Sequence, residues 1–169
     1  MSKWQRARTP RRLALLLVAR VKGMLGVDRV AALWVATRST YRTMPDDVEC
    51  FGPDRDARLY TGPWPIIAHP PCGPWGRYRH RCKQDKGHGI IAMTLVHLWG
   101  GVVEQPVGSS LFPEFGNGGC IEKIHLSDFG FAAHKPTLLY WHLGCTHHLS
   151  GSSVQEIPTV MSGDVPDPA

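Results

Sequence analysis

Short apolar runs that end at turn residues constrain this chain more than any other feature. RVAALWVAT (29–37), WPIIAH (64–69), GGVVEQP (100–106) and KPTLLYWHL (135–143) each have the length and composition of a buried strand, and DVECFG (47–52) is a further candidate. Two stretches read as helices. RRLALLLVARVKGMLG (11–26) has Pro10 near its start and Gly23 or Gly26 near its stop, and GIIAMTLVHLWGG (89–101) closes on the Gly100–Gly101 pair. The first is apolar almost all round, which predicts that it packs against something. Strands joined by loops and a helix predict an α/β fold with a mostly parallel sheet and flanking helices. The glycine-rich stretch 107–120 reads as irregular, and KIHLSDFGF (123–131) fits either strand or loop.

A chain of 169 residues suits one domain with a real core. Glycine and proline number 18 and 14, more than a helical bundle carries. The expected organisation is a basic, flexible N-terminus (1–12), one α/β domain (13–149) and a poorly ordered tail rich in Ser, Pro and Asp (150–169). Leu13 to Ala19 is too short to span a bilayer, and Arg20 and Lys22 interrupt it, so neither a secretory leader nor a membrane anchor is expected. The five cysteines (50, 72, 82, 120 and 145) are odd in number and irregular in spacing, which predicts reduced thiols in a cytoplasmic protein.

The formal net charge is +5, and much of the excess falls in residues 3–22 and 77–86. Basic clusters with Trp and Tyr interleaved suit a polyanion, nucleic acid above all, although a solvated basic face has the same composition. The second cluster follows AHPPCGPWGRYRH (68–80). In that segment two prolines stiffen the chain directly before Cys72. Arg77, Arg79 and Arg81 would favour the thiolate and attract phosphate. In a parallel sheet, chemistry collects where the strands end at their carboxyl side, and Cys72 and Glu104 each follow an apolar strand candidate. If those strands are neighbours, nucleophile and carboxyl share one rim.

Other readings of the same residues stay open. Cys72 also suits a structural thiol in a proline-rich turn. His69, Cys72, His80, Cys82 and His88 crowd into 20 positions, with Cys145, His147 and His148 later, so zinc is an alternative, although the spacings match no standard finger. Trp75 can stack on a base or fill the core, and His97 reads as a satisfied buried histidine. Asp54 and Asp56 suit a surface turn or a pocket rim.

The segment IIAHPPCGPWG (66–76) resembles the Pro-Cys nucleophile loop of DNA cytosine-C5 methyltransferases. GGVVEQPVGSSLF (100–112) is similar to their next signature, a strand ending in Glu. FGFAAHKPTLLYW (129–141) is similar in layout to a later block, with basic residues before a strand. The likeness covers about residues 60–142 and extends to small phage and prophage proteins with an AHPPC…W loop. RARTPRRLALLL (6–17) resembles the helix that closes the family's catalytic domain at its C-terminal side, which would make the chain a circular permutation.

The resemblance implies a Rossmann-like, methyltransferase-type fold and a phage or prophage protein working in the bacterial cytoplasm. It implies that Cys72 adds to C6 of a flipped-out pyrimidine, cytosine first. Glu104 would hold the ring edge. Pro71, Trp75, Arg77, Arg79, His134 and Lys135 would meet the substrate, and Asp54 or Asp56 would hold the ribose of S-adenosylmethionine. The chain departs from the pattern at several points. Its first loop, LWVATRSTYR (33–42), has no glycine, Gln-Pro follows Glu104, and His134 and Lys135 stand where arginines are usual. Methyl or another one-carbon transfer is the enzymatic reading. A DNA- or host-protein-binding module on a degenerate fold is the alternative.

Overall fold

The computed structural model describes residues 9–145. The expectations placed on residues 1–8, on His147 and His148 and on the tail 150–169 lie outside them. Among the described residues no helix is long and apolar enough to cross a membrane.

Helix α1 (Arg11–Leu25) follows Pro10, whose carbonyl accepts the amide of Ala14, and stops at Gly26 in the left-handed conformation, φ 62°. Both ends follow the sequence signals, because proline suits the first turn and only glycine enters that region freely. Its buried residues, Leu13, Ala14, Leu17, Val18 and Val21, recur with helical spacing on one face. Leu15 and Leu16 are left exposed. The all-round apolar pattern therefore covers a one-sided helix.

Six strands form one mixed sheet: β1 (Val30–Leu33), β2 (Val48–Cys50), β3 (Ile66–Ala68), β4 (Gly101–Pro106), β5 (Cys120–His125) and β6 (Pro136–His142). Across the sheet the order is β2-β1-β3-β4-β6-β5. The first four are parallel, β6 runs antiparallel to β4, and β5 runs antiparallel to β6. The sheet is therefore mixed and not wholly parallel: four adjacent strands are parallel, and β6 alone runs against the rest. The stretch 107–120 holds a short helix, α3 (Leu111–Phe115). Strand β5, which begins at the end of that stretch and runs into KIHLSDFGF, was hidden from pattern reading by its place on the sheet edge. Cys120 and Ile121 are exposed there, so no continuous apolar run marks the strand.

The two faces of the sheet bury different layers, and the side chains alternate between them as strand geometry requires. Val30, Ala32, Ile67, Val102 and Trp141 meet α1, whereas Ala31, Leu33, Ile66, Val103 and Tyr140 meet α2 (Gly87–Trp99). Gly101 lets β4 come close to β3. A Cβ there would stand 1.9 Å from the carbonyl oxygen of Ile66, and its φ of +116° suits glycine alone. The register pairs Ala68 with Val103, so His69, just past the end of β3, lies beside Glu104, which is still within β4 and paired with Leu139 of β6.

Candidate functional site

Because β1, β3 and β4 are parallel, their carboxyl ends form one rim. A pocket of about 130 Å³ opens there on the α1 side. Cys72, Pro71, Glu104 and Lys135 line it together, with Trp34, His69 and Gln105 beside them. Two residues placed far apart in the chain, Cys72 and Glu104, therefore share one cleft, and Cys72 is exposed to it.

The loop that carries Cys72 is fastened at successive points. The amide of His69 donates to Leu33 O, Gln105 Nε2 donates to Pro70 O at 3.0 Å, and Cys72 O accepts from Trp75 N and Gly76 N. Gln105 is itself buried and fixed, because its Oε1 accepts from Ser109 Oγ at 3.1 Å. Two prolines remove backbone donors that this crowded turn could not satisfy. The thiol thus sits on a rigid support.

Glu104 is held by a chain of polar groups. His69 Nδ1 lies 2.7 Å from Glu104 Oε2, and His69 Nε2 lies 3.0 Å from the hydroxyl of Tyr41. A carboxylate only accepts, so Nδ1 carries the proton between them. Burial works to raise the Glu104 pKa. The hydrogen bond and charge of His69, with the charge of Lys135, outweigh burial and hold the carboxyl below its ordinary value. Tyr41 is fully buried. Burial first, then the charge of Glu104, pushes its phenol well above the ordinary value, so it stays neutral.

A second, more open cavity of about 400 Å³ lies on the α2 side, beyond the ends of β1 and β2. Trp34 and Pro71 line both cavities, and Asp56, Arg58, Asp85 and His88 line the second. Strand β1 stops at Leu33 because Trp34 adopts φ 57°, a left-handed conformation that costs a non-glycine residue about 1–2 kcal/mol. Its indole Nε1 donates to His88 Nδ1 at 2.9 Å. A buried indole stands where a glycine-rich loop would let backbone approach a ligand. Asp54 lines neither cavity and is paired with Arg42. Asp56 faces the second cavity, but its oxygens are taken by the amide and guanidinium of Arg58.

The other expected site residues separate. Trp75 is 1% exposed, stacks edge-on with Phe115 and carries Lys86 above its ring, so it belongs to the core and offers no face to a base. A tryptophan beside a candidate nucleophile looks the same in sequence whether it faces in or out. Arg77, Arg79 and Arg81 are exposed, on the turn beyond the loop and outside both cavities. His134 is exposed and stacks on His125 at 4.4 Å instead of entering the pocket, whereas its neighbour Lys135 lines it. Among the described residues no group of three or more His, Cys, Asp or Glu converges as a metal site would require. Of the residues weighed for zinc, His69 bonds to Glu104 and Tyr41, and His88 bonds to Trp34.

Pattern reading missed His69 as a partner of Glu104 and missed Tyr41, Gln105 and Trp34. The signal for two of them was present. Polar residues at the ends of apolar strands, His69 after β3 and Gln105 within β4, need partners when buried. Tyr41 and Trp34 sit in loops whose path no periodicity predicts. A scan of family models finds none that matches the chain, and a search of curated proteins finds no match either.

Proposed function

We propose that this protein modifies pyrimidine bases in nucleic acid or nucleotides, cytosine first, with Cys72 as nucleophile and Glu104 holding the ring edge. The observation that carries the reading is that a thiol on a braced loop and an ionised carboxyl line one pocket at the carboxyl rim of β3 and β4. The resemblance to DNA cytosine-C5 methyltransferases had put these same two residues in those roles. The thiolate adds to C6 and the C6–S bond forms. The electron pair moves to C5, which takes an electrophile. C5 then loses its original proton, and the C–S bond breaks to return the thiolate. Lys135 lines the same pocket and offers positive charge to an anionic substrate. Arg77 and Arg79 lie beyond the pocket, where they meet backbone phosphate.

For the fold, we propose a methyltransferase-type, circularly permuted Rossmann-like arrangement. The reversed strand β6 between β4 and β5 supports it, as does α1, which precedes the sheet and packs across it. The donor we propose is not S-adenosylmethionine, because Trp34 and the occupied carboxylates of Asp54 and Asp56 leave no cradle for it.

Adding and removing the thiolate with a proton as the C5 electrophile needs no donor, so exchange of the C5 hydrogen tests the reading. A short single-stranded oligonucleotide rich in cytosine is incubated with the protein in D2O and digested to nucleosides, and deuterium at C5 is measured by mass spectrometry. The expected result is exchange that disappears in Cys72→Ala. Trp34 in the first loop also favours a second reading, a binding module without turnover. Tight oligonucleotide binding with no exchange in the wild type supports that reading instead.

A further inference from the structure

Glu104 does not face its pocket as a free carboxyl. Oε2 lies 2.7 Å from His69 Nδ1, and the histidine is held from its far side by Tyr41 at 3.0 Å. Tyr41 is fully buried beneath α1, and the rings of Tyr41 and His69 lie 5.5 Å apart, so the histidine has little room to turn. The register of β3 against β4 sets His69 beside Glu104, which makes the pair a product of the sheet itself. One carboxylate oxygen is thus committed to the protein.

We infer that His69, braced by Tyr41, is a positioning residue that commits one Glu104 oxygen to the protein and keeps the other as a hydrogen-bond acceptor, so that the pocket selects a pyrimidine presenting an N–H donor at the edge that meets Glu104. This rests on the pyrimidine reading above and deepens it. An ionised oxygen accepts from the 4-amino group of cytosine or from N3–H of thymine. It repels a ring that turns only lone pairs toward it, because a buried acceptor facing an acceptor leaves both unpaired. The direction in which Glu104 is shifted agrees. Among the described residues, the other titratable groups around the pair are Lys135, ahead of β6, Cys72, on the loop after β3, and Cys50, at the end of β2, whose charge bears on Tyr41.

The test measures binding by fluorescence anisotropy in a Cys72→Ala background, which keeps every complex reversible. Three short single-stranded oligonucleotides differ only at a central cytosine, thymine or 2-pyrimidinone, the last presenting only the N3 lone pair at that edge. The cytosine and thymine oligomers are expected to bind about tenfold more tightly than the third. Discrimination should persist on acidification until Glu104 takes up a proton. In His69→Ala, burial acts on Glu104 without the histidine, so discrimination is lost at a higher pH than with His69 in place. His69→Asn, which restores an N–H donor without a titratable ring, should bring it back. A folded His69→Ala protein with an unchanged pH profile would overturn the inference, as would equal binding of all three oligomers by the parent protein. If His69→Ala does not fold, His69→Asn and Tyr41→Phe decide: an upward move of the profile in Tyr41→Phe with its retention in His69→Asn is expected, and loss of discrimination in His69→Asn overturns the inference. C5 exchange in the wild type alongside any of these overturning results removes this inference and leaves the pyrimidine reading. No exchange, with binding no tighter than to an abasic oligomer, removes both.

Discussion

The carboxyl rim of the parallel strands has two halves that use their polar residues in opposite ways. At β3 and β4, Cys72 is open to the pocket and the Glu104 carboxyl is oriented toward it by His69. At β1 and β2, Asp54 and Asp56 are tied to Arg42 and Arg58, and Trp34 spends its indole N–H on His88. One half is braced so that reactive groups face outward. The other is satisfied within itself. Sharing a sheet edge does not make a residue functional. What distinguishes the halves is whether a polar group still has a valence left for a ligand after the fold has been satisfied.

Breaking the first half should cost far more activity than breaking the second. Glu104→Gln is expected to lower C5 exchange by about 10–10²-fold, the loss of a hydrogen bond to a charged acceptor that holds the ring. Asp56→Asn should leave the rate unchanged, because its oxygens already belong to Arg58. Equal losses in both variants would erase the contrast, and initial-rate measurements on the two proteins decide it.

The brace itself should carry stability. Gln105→Leu removes the donor to Pro70 and the acceptor for Ser109 in a buried site, at a cost of about 1–3 kcal/mol. Urea unfolding would show it as a lower midpoint at unchanged slope. A neutral result would mean that the prolines alone hold the loop.

Acid should sharpen the same contrast. The folded-state pKa of Glu104 lies below its unfolded value, so the carboxylate's contribution to stability is present above the unfolded pKa of about 4.3 and is lost as pH falls through the folded value. The stability gap between wild type and Glu104→Gln should be largest near neutral pH and close below about pH 4. A gap that widens on acidification would reverse the sign assigned here, and thermal unfolding between pH 3 and 7 measures it.

The smallest effect on the fold belongs to the exposed arginines. Arg77→Ala and Arg79→Ala should each change stability by less than about 0.5 kcal/mol. Each should reduce the slope of log affinity against log salt for single-stranded DNA by about 0.7, the loss of one phosphate contact. An unchanged salt slope would mark this turn as an ordinary solvated surface.

Much of this division was legible in the chain, and the rest was not for physical reasons. IIAHPPC and GGVVEQP announce two buried strands with polar residues at their ends, and the two run side by side. That neighbourhood is what brings Cys72 and Glu104 into one pocket. The partner of Glu104 is set by the β3–β4 register, which no spacing within either strand encodes. Tyr41 reaches His69 from a 3₁₀ turn (Thr40–Thr43) whose path depends on the strands around it. Trp75 has the composition of a base-stacking residue, but its burial follows from packing under α2. Strand β5 carries too few apolar residues to declare itself, because among the described residues its outer edge has no partner strand.

The most direct test of Cys72 as a nucleophile is the intact mass of the protein after incubation with an oligonucleotide bearing a single 5-azacytosine. That base keeps the 4-amino group and accepts a thiolate at C6 without any donor. A covalent adduct of protein plus one oligonucleotide, absent in Cys72→Ala and mapped to Cys72 by digestion, is expected. An unmodified mass for protein shown to bind the same oligonucleotide would contradict that expectation.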